Sequence, residues 1–319
     1  MKCILDILKN WCNPLWVKQA LSLNNIYIRY SVAYPTFTIT GTGTVTISGG
    51  GVEQIYVNPN NQSVNFPIAA HEDITINGDV TRLASTANTM EYINTSGNAL
   101  LISLYLRQLN LSALTLAHDT LQILTIFNST LQTIDVSGCP NLQNLNVSSN
   151  GNLASLNVSG AVGLQNLEVN NTALTTLDLS AQTQLAYLRT NGCASLATLT
   201  LNSAVLTDVE CSGIAATTLD FSNCPGLQSL YFEDTLNLTT LDLSTCTVLD
   251  YMECYNAPEI VDLKYRAMFQ NGSVNYYAGQ LILNANSSTG TLHLHTGDPY
   301  TAQIEAAATT KGWTTIYDL

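Results

Sequence analysis

The chain of 319 residues carries a formal net charge of −13 and an isoelectric point near 4.4, with 46% hydrophobic and only 10% charged residues. That balance supports a sizeable core but argues against phosphate backbones and anionic membranes as partners, since a strongly negative surface repels both. No stretch reaches the ~18 uninterrupted apolar residues of a membrane-spanning helix, and Asn, Ser, Thr and Gln must carry most of the polar surface.

Residues 1–22 open with MKCILDILKNWCNPLW. Ile4, Leu8, Trp11 and Leu15 fall at i, i+4, i+7 and i+11, the stripe of an amphipathic helix, and Pro14 disfavours its continuation. Asp6, Lys9 and Asn10 interrupt the apolar run that a secretory leader needs. The stripe serves either of two purposes: packing on the domain that follows, or docking on a virion or self-assembly partner.

Residues 23–90 read as a β-rich domain. TFTITGTGTVTISGGG (36–51) alternates with period 2 and ends in a glycine turn, and VEQIYV, QSVNFPI and DITINGDVTRL follow as further strands.

Residues 91–268 hold the main signal. L-x-x-L-x-L returns every ten or eleven residues in LSALTL, LQILTI, LQTIDV, LQNLNV, LASLNV, LQNLEV, LTTLDL and LQSLYF. Alternate copies differ in type. One type is nearly uniform (TIDVS, SLNVS, TLDLS, TLDFS) and the other varies (NLEVN, YLRTN, DVECS, SLYFE, YMECY). The unit is therefore 20 to 22 residues with two short extended segments, and eight units start at Leu101, Leu121, Leu142, Leu164, Leu185, Leu206, Leu227 and Leu249. This period and leucine spacing define a leucine-rich repeat. A single unit is too small to bury its own leucines, so the units must stack. Asn, Ser and Gly between segments make the corners, where they tolerate tight or left-handed turns.

Residues 269–319 close the array. QLILNA and TLHLHT read as last strands, and AQIEAAATTKGWTTIYDL as a short helix, a Lys-Gly stop and a final strand.

The repeat units resemble the cysteine-ladder subclass of leucine-rich repeats in bacterial internalin-like surface proteins, with the motif LxxLxCxxNxLTxLDLSxNxx. LTDVECSGIAATTLDFSNCPG (206–226) carries Cys211 at the ladder position and LDYMECYNAPEIVDL (249–263) carries Cys254. Leu106, Ile126, Val147, Val169, Thr190 and Phe232 stand there in the other units, so apolar residues largely replace the ladder. GTVTISGGG and DITINGDVT resemble the framing strands of the small PKD-type β-sandwich that precedes such repeats in bacterial and phage surface proteins, without its WGDG turn. The helix–KGWT–strand ending resembles those of phage tail-associated and bacterial surface proteins. The expected fold is mainly β: a right-handed leucine-rich-repeat solenoid with an N-terminal small β-sandwich-like domain and a C-terminal α/β cap.

Little in the chain suggests reaction chemistry. None of the eight cysteines forms a Cys-x-x-Cys pair or has a histidine at zinc-ligand spacing. They read as small buried hydrophobes, although Cys224 and Cys246 hold equivalent places in neighbouring units, at a spacing that permits a disulfide. His293 and His295 share one side of a strand, as a polar face or the start of a metal site. Asp135, Asp178, Asp220, Asp242 and Asp262 recur at one repeat position, as a calcium ladder or a solvated consensus face. No phosphate loop, nucleophile elbow or H-E-x-x-H motif is present, and no cofactor is expected.

The varied segments point outward in columns. The C-terminal half gathers Tyr187, Arg189, Asp208, Glu210, Tyr231, Glu233, Tyr251, Glu253 and Tyr255 as candidate ligand-binding residues. Tyrosine offers a flat apolar body with a polar tip, and carboxylates accept hydroxyl protons or pair with cations. The mixture suits a host-surface glycan or protein, or it reflects drift on an indifferent surface. The first functional expectation is a non-catalytic binding module on a phage virion surface (tail, fibre or head decoration). The alternatives are a secreted or cell-surface bacterial adhesin and a glycan-active enzyme working through Glu210 or Glu253.

Overall fold

The computed structural model describes residues 25–31, 33, 35–85, 90–265, 290–294 and 302–317. The N-terminal helix expected over 1–22, Cys3, Cys12, the QLILNA strand and His295 lie outside them.

Six strands come first: β1 (Asn25–Tyr30), β2 (Thr36–Gly49), β3 (Val52–Val57), β4 (Gln62–Asn65), β5 (Asp73–Ser85) and β6 (Met90–Gly97). β2 and β3 form a hairpin in which Gly49 opposes Val52, so the loop is Gly50-Gly51. Both glycines have positive φ, 54° and 77°, the backbone a two-residue primed turn requires. β1 lies between β5 and β6, antiparallel to each, and β2 pairs antiparallel with β3, β4 and β5. Alternation at period 2 buries Phe37, Ile39, Val45, Ile47, Ile74 and Ile76 together.

β5 does not end with this group. Its last residues, Arg82 to Ser85, pair in parallel with Ser103 to Leu106. The sheet therefore continues unbroken into the repeats through β7 (Ser103–Arg107), β9 (Ile123–Phe127), β11 (Asn144–Asn146), β13 (Asn166–Glu168), β15 (Tyr187–Arg189), β17 (Asp208–Glu210), β19 (Ser229–Glu233) and β21 (Tyr251–Tyr255). These eight are the varied segments, one per coil, and they form the spine sheet.

Register is set by burial, because a slip of one residue would turn every leucine to solvent. Leu104, Leu124, Leu145, Leu167, Leu188, Val209, Leu230 and Met252 stand in file, each opposite the next, and all are buried. The ladder position forms a second buried column: Leu106, Ile126, Val147, Val169, Thr190, Cys211, Phe232 and Cys254. Each fully buried leucine contributes roughly 1.5–3 kcal/mol. Thr190 is the exception in its column, for its hydroxyl is buried without a hydrogen-bond partner.

The uniform segments run along the other side in three sheets. β8 (Ala113–Ala117), β10 (Thr133–Gly138) and β12 (Ser155–Asn157) make the first, and β14 (Thr176–Leu179) with β16 (Thr198–Leu201) the second. β18 (Thr218–Asp220), β20 (Thr240–Leu243), β22 (Asp262–Tyr265), β23 (Thr291–Leu294) and β24 (Thr314–Tyr317) make the third. One apolar core runs from Ile26 to Trp313.

Two kinds of corner turn the chain. After each spine strand one residue adopts a left-handed φ of 50° to 71°: Gln108, Asn128, Ser149, Asn171, Gly192, Gly213, Asp234 and Asn256. After the uniform segments, Asp135, Asp178, Asp220 and Asp242 each accept the backbone N–H of the serine two residues on, at 2.8 to 3.0 Å. Asn157 does the same for Ser159. These are Asx turns, so four of the five aspartates of the series make corners; Asp262 instead lies 3.5 Å from His293.

The far end is covered by α1 (Ala302–Lys311) and β24. Gly312, at φ 84°, donates to the Thr309 carbonyl, and the Trp313 N–H donates to Ala308, the pair of bonds that defines a Schellman stop. The Trp313 ring is buried against Gly290, where an added Cβ would lie 2.5 Å from it.

Candidate functional site

The nine candidate residues all fall on four adjacent spine strands, β15, β17, β19 and β21. The inward leucines are buried, so period 2 turns residues on either side of them outward. Tyr187 stands opposite Asp208, which stands opposite Ser229 and then Tyr251; Arg189, Glu210, Tyr231 and Glu253 form the next file. Tyr255 pairs through its backbone with Glu233, and its side chain lies outside the description.

Register then decides which groups meet. Arg189 Nη2 lies 2.8 Å from Glu210 Oε1, and its guanidinium carbon sits 5.0 Å from the centroid of the Tyr187 ring, within cation–π range. Burial works against the Arg189 cation, but the hydrogen bond and charge of Glu210 outweigh it and hold its pKa above the usual value. Glu210 Oε2 accepts from Asn191 Nδ2 at 2.9 Å, so both its oxygens are engaged. The Asn191 side-chain carbonyl takes the Ser212 N–H at 2.9 Å, and Ser212 Oγ takes the Glu233 N–H at 3.0 Å. Asn191 and Ser212 thus link the coils at the edge of the patch. Neither is among the nine candidates, since a neutral amide or hydroxyl shows its partner only once the strands are aligned.

Two repeated pairs follow. The hydroxyl of Tyr231 donates to Glu233 Oε2, and that of Tyr251 donates to Glu253 Oε2. The Glu233 hydrogen bond, with burial and the neighbouring negative charges, pushes the Tyr231 hydroxyl up to about 12. Burial, then the Glu210 charge, raises Tyr187. Asp208 accepts from Thr207 Oγ1 at 2.6 Å. Four carboxylates (Asp208, Glu210, Glu233 and Glu253) thus share the patch with one guanidinium, Arg189, itself spent on Glu210. The hydroxyls of Tyr231 and Tyr251 are each held by the carboxylate two residues on, which restricts those two rings before any ligand arrives.

The other chemistry-bearing residues are occupied elsewhere. Cys139, Cys193, Cys211, Cys224, Cys246 and Cys254 are buried free thiols, so Cys224 and Cys246 are not bonded. Burial pushes the Cys211 and Cys246 thiols up to about 12, which leaves them unreactive at neutral pH. His293 Nε2 lies 3.5 Å from Asp262 Oδ1 on the neighbouring strand. Among the described residues no three His, Cys, Asp or Glu side chains group closely enough to hold a metal ion, and no helix is long and apolar enough to cross a membrane.

The fold and its presented face define a leucine-rich-repeat solenoid. Among solved structures, the chain is similar to the functional domain of InlJ from Listeria monocytogenes, which includes a cysteine ladder; identity is 18%, the TM-score 0.24, and the match covers 68% of this chain and 64% of that one. The chain thus spans slightly less than two thirds of that protein's length. No protein-family model matches the sequence, and no curated protein matches it.

Proposed function

We propose that this protein is a non-catalytic binding module whose contact surface is the outward face of the spine sheet, centred on Tyr187, Tyr231 and Tyr251 with their carboxylates. One observation carries the reading. Eight strands hold an inward file that is aliphatic at every step, while the outward residues at the same steps change from coil to coil. A scaffold needs only the inward file, and a recognition surface needs the variation. Preordered aromatic rings beside hydrogen-bonding groups are what binding hot spots contain.

Surface display is the setting for such a module, first as a phage virion component and otherwise on a bacterial cell. Mass spectrometry of purified particles distinguishes the two. The central test uses labelled protein on a glycan array and on immobilised bacterial surface proteins. The combined variant Tyr231→Ala, Tyr251→Ala, Glu253→Gln is expected to lose at least about tenfold in affinity for whichever target binds, with thermal stability near wild type. Undiminished binding by a folded variant removes the patch from the contact surface.

A further inference from the structure

The acidic tyrosine patch occupies only one end of the outward face, and the other end carries a different chemistry. Ile123, an outward residue of β9, is 41% exposed, and Ile102, just before β7, is 38% exposed; their backbones meet where the Ile123 N–H donates to the Ile102 carbonyl at 3.0 Å. Along β7 and β9 Tyr105 and Phe127 meet edge to face, their centroids 6.2 Å apart. Arg107 stands opposite Phe127, exposed and with no ionic partner among the described residues. Single exposed apolar side chains are ordinary, but a contiguous group beside a cation is a contact surface. No outward position of β7, β9 or β11 carries a carboxylate; the first along the face is Glu168 on β13.

The face is therefore polar along its length: apolar and cationic over β7 and β9, amide-bearing at Asn144 and Asn166, then acidic from β17 to β21. At ~4.8 Å per strand, β9 lies about 19 Å from β17 and about 29 Å from β21. A neutral glycan has no anion for Arg107 and no cation for Glu233 and Glu253. A nucleic acid is repelled by the acidic end. A polypeptide carries both kinds of end, and about nine extended residues span the larger distance. Resting on the reading that this face is the contact surface, we propose that its ligand is a polypeptide segment of opposite polarity. The apolar, carboxylate-bearing end sits on Ile102, Ile123 and Phe127 beside Arg107, and the basic end lies over Glu233 and Glu253.

Fluorescence anisotropy on the full chain tests this with synthetic peptides. One peptide joins Asp-Leu-Phe to Lys-Arg-Lys through a Gly-Ser spacer of about twelve residues, whose root-mean-square span is about 19 Å. The others are each half alone and the two halves fused without a spacer. The spaced peptide is expected to bind at least about tenfold tighter than the better half or the unspaced fusion, because the second contact becomes intramolecular. Ile123→Ser, at an exposed site that leaves the core intact, removes that gain without changing the affinity of the basic half; Glu233→Gln with Glu253→Gln weakens the basic half. If the basic half binds but the spaced peptide gains nothing, the polar ligand is overturned while the contact surface stands. If no peptide binds, the polypeptide ligand is overturned, and the glycan array alone then decides whether the face is a contact surface. If light scattering instead shows self-association that Ile123→Ser abolishes, a second copy covers the apolar end and the proposal is wrong.

Discussion

Asp135, Asp178, Asp220 and Asp242 show how one side chain per coil sets a corner. A calcium ladder and a solvated consensus face were both open from the sequence; Asp178 and Asp220 stand exposed, and the hydrogen bonds to Ser137, Ser180, Ser222 and Ser244 add a structural task to these carboxylates. The bonds from Ser137 and Ser180 hold the Asp135 and Asp178 carboxyls below the ordinary range. Each folded pKa is thus lower than the unfolded value of ~3.9. Their contribution to stability is complete above that value and disappears as pH falls through the folded pKa. Asn157 makes the same bond without a charge, so Asp135→Asn with Asp178→Asn is expected to fold normally at pH 7. Its stability, followed by denaturant melts from pH 5 down to pH 2, should fall less steeply than that of the wild type. Parallel curves would remove the turn carboxylates as a source of acid sensitivity.

At the scale of the element, the left-handed corner after each spine strand governs how the coil closes. Gly192 and Gly213 adopt it without steric cost and asparagine tolerates it, whereas Gln108 holds it against its own Cβ. Gln108→Gly is therefore expected to stabilise by about 0.5–1 kcal/mol and Gly192→Val to destabilise by about 1–3 kcal/mol, both read from the urea midpoint at constant m. Equal midpoints would mean that the corner backbone relaxes freely. The strands themselves are three to six residues long in the repeats, too short to stand alone, so in-register pairing with the next coil is what makes them strands at all.

For the whole molecule, β5 is the hinge of the architecture. It pairs with β1 over Asp73 to Asn77, with the first coil over Arg82 to Ser85, and with β2 along both stretches, so the N-terminal strands and the repeats share a backbone ladder and one core. Leu83, fully buried at the crossing, tests the coupling. Leu83→Ala is expected to cost about 2–5 kcal/mol and to speed hydrogen exchange at Ile28 and Leu104 together, while Leu188, several coils away, keeps its protection because repeats interact with nearest neighbours. Loss of protection at only one of the first two would separate the two ends of β5.

The amino-acid sequence alone determined the coil. Leucines at a steady 20 to 22 residues dictate stacking, and Leu145, Leu167, Leu188 and Leu230 are indeed in file because no other arrangement dries them all. The outward columns were legible for the same reason, since period 2 follows from the buried file. The pairings of Arg189 with Glu210 and of each tyrosine with its glutamate were not, because a charge reports its own presence and not the rotamer or neighbour that satisfies it. Nor was the passage of β5 from the first strands into the spine, for DITINGDVTRLAS reads as one alternating strand whichever partners it takes. Local periodicity states which side of a strand is dry; only the tertiary structure, which brings residues distant in the chain to within hydrogen-bond reach, decides what each wet side meets.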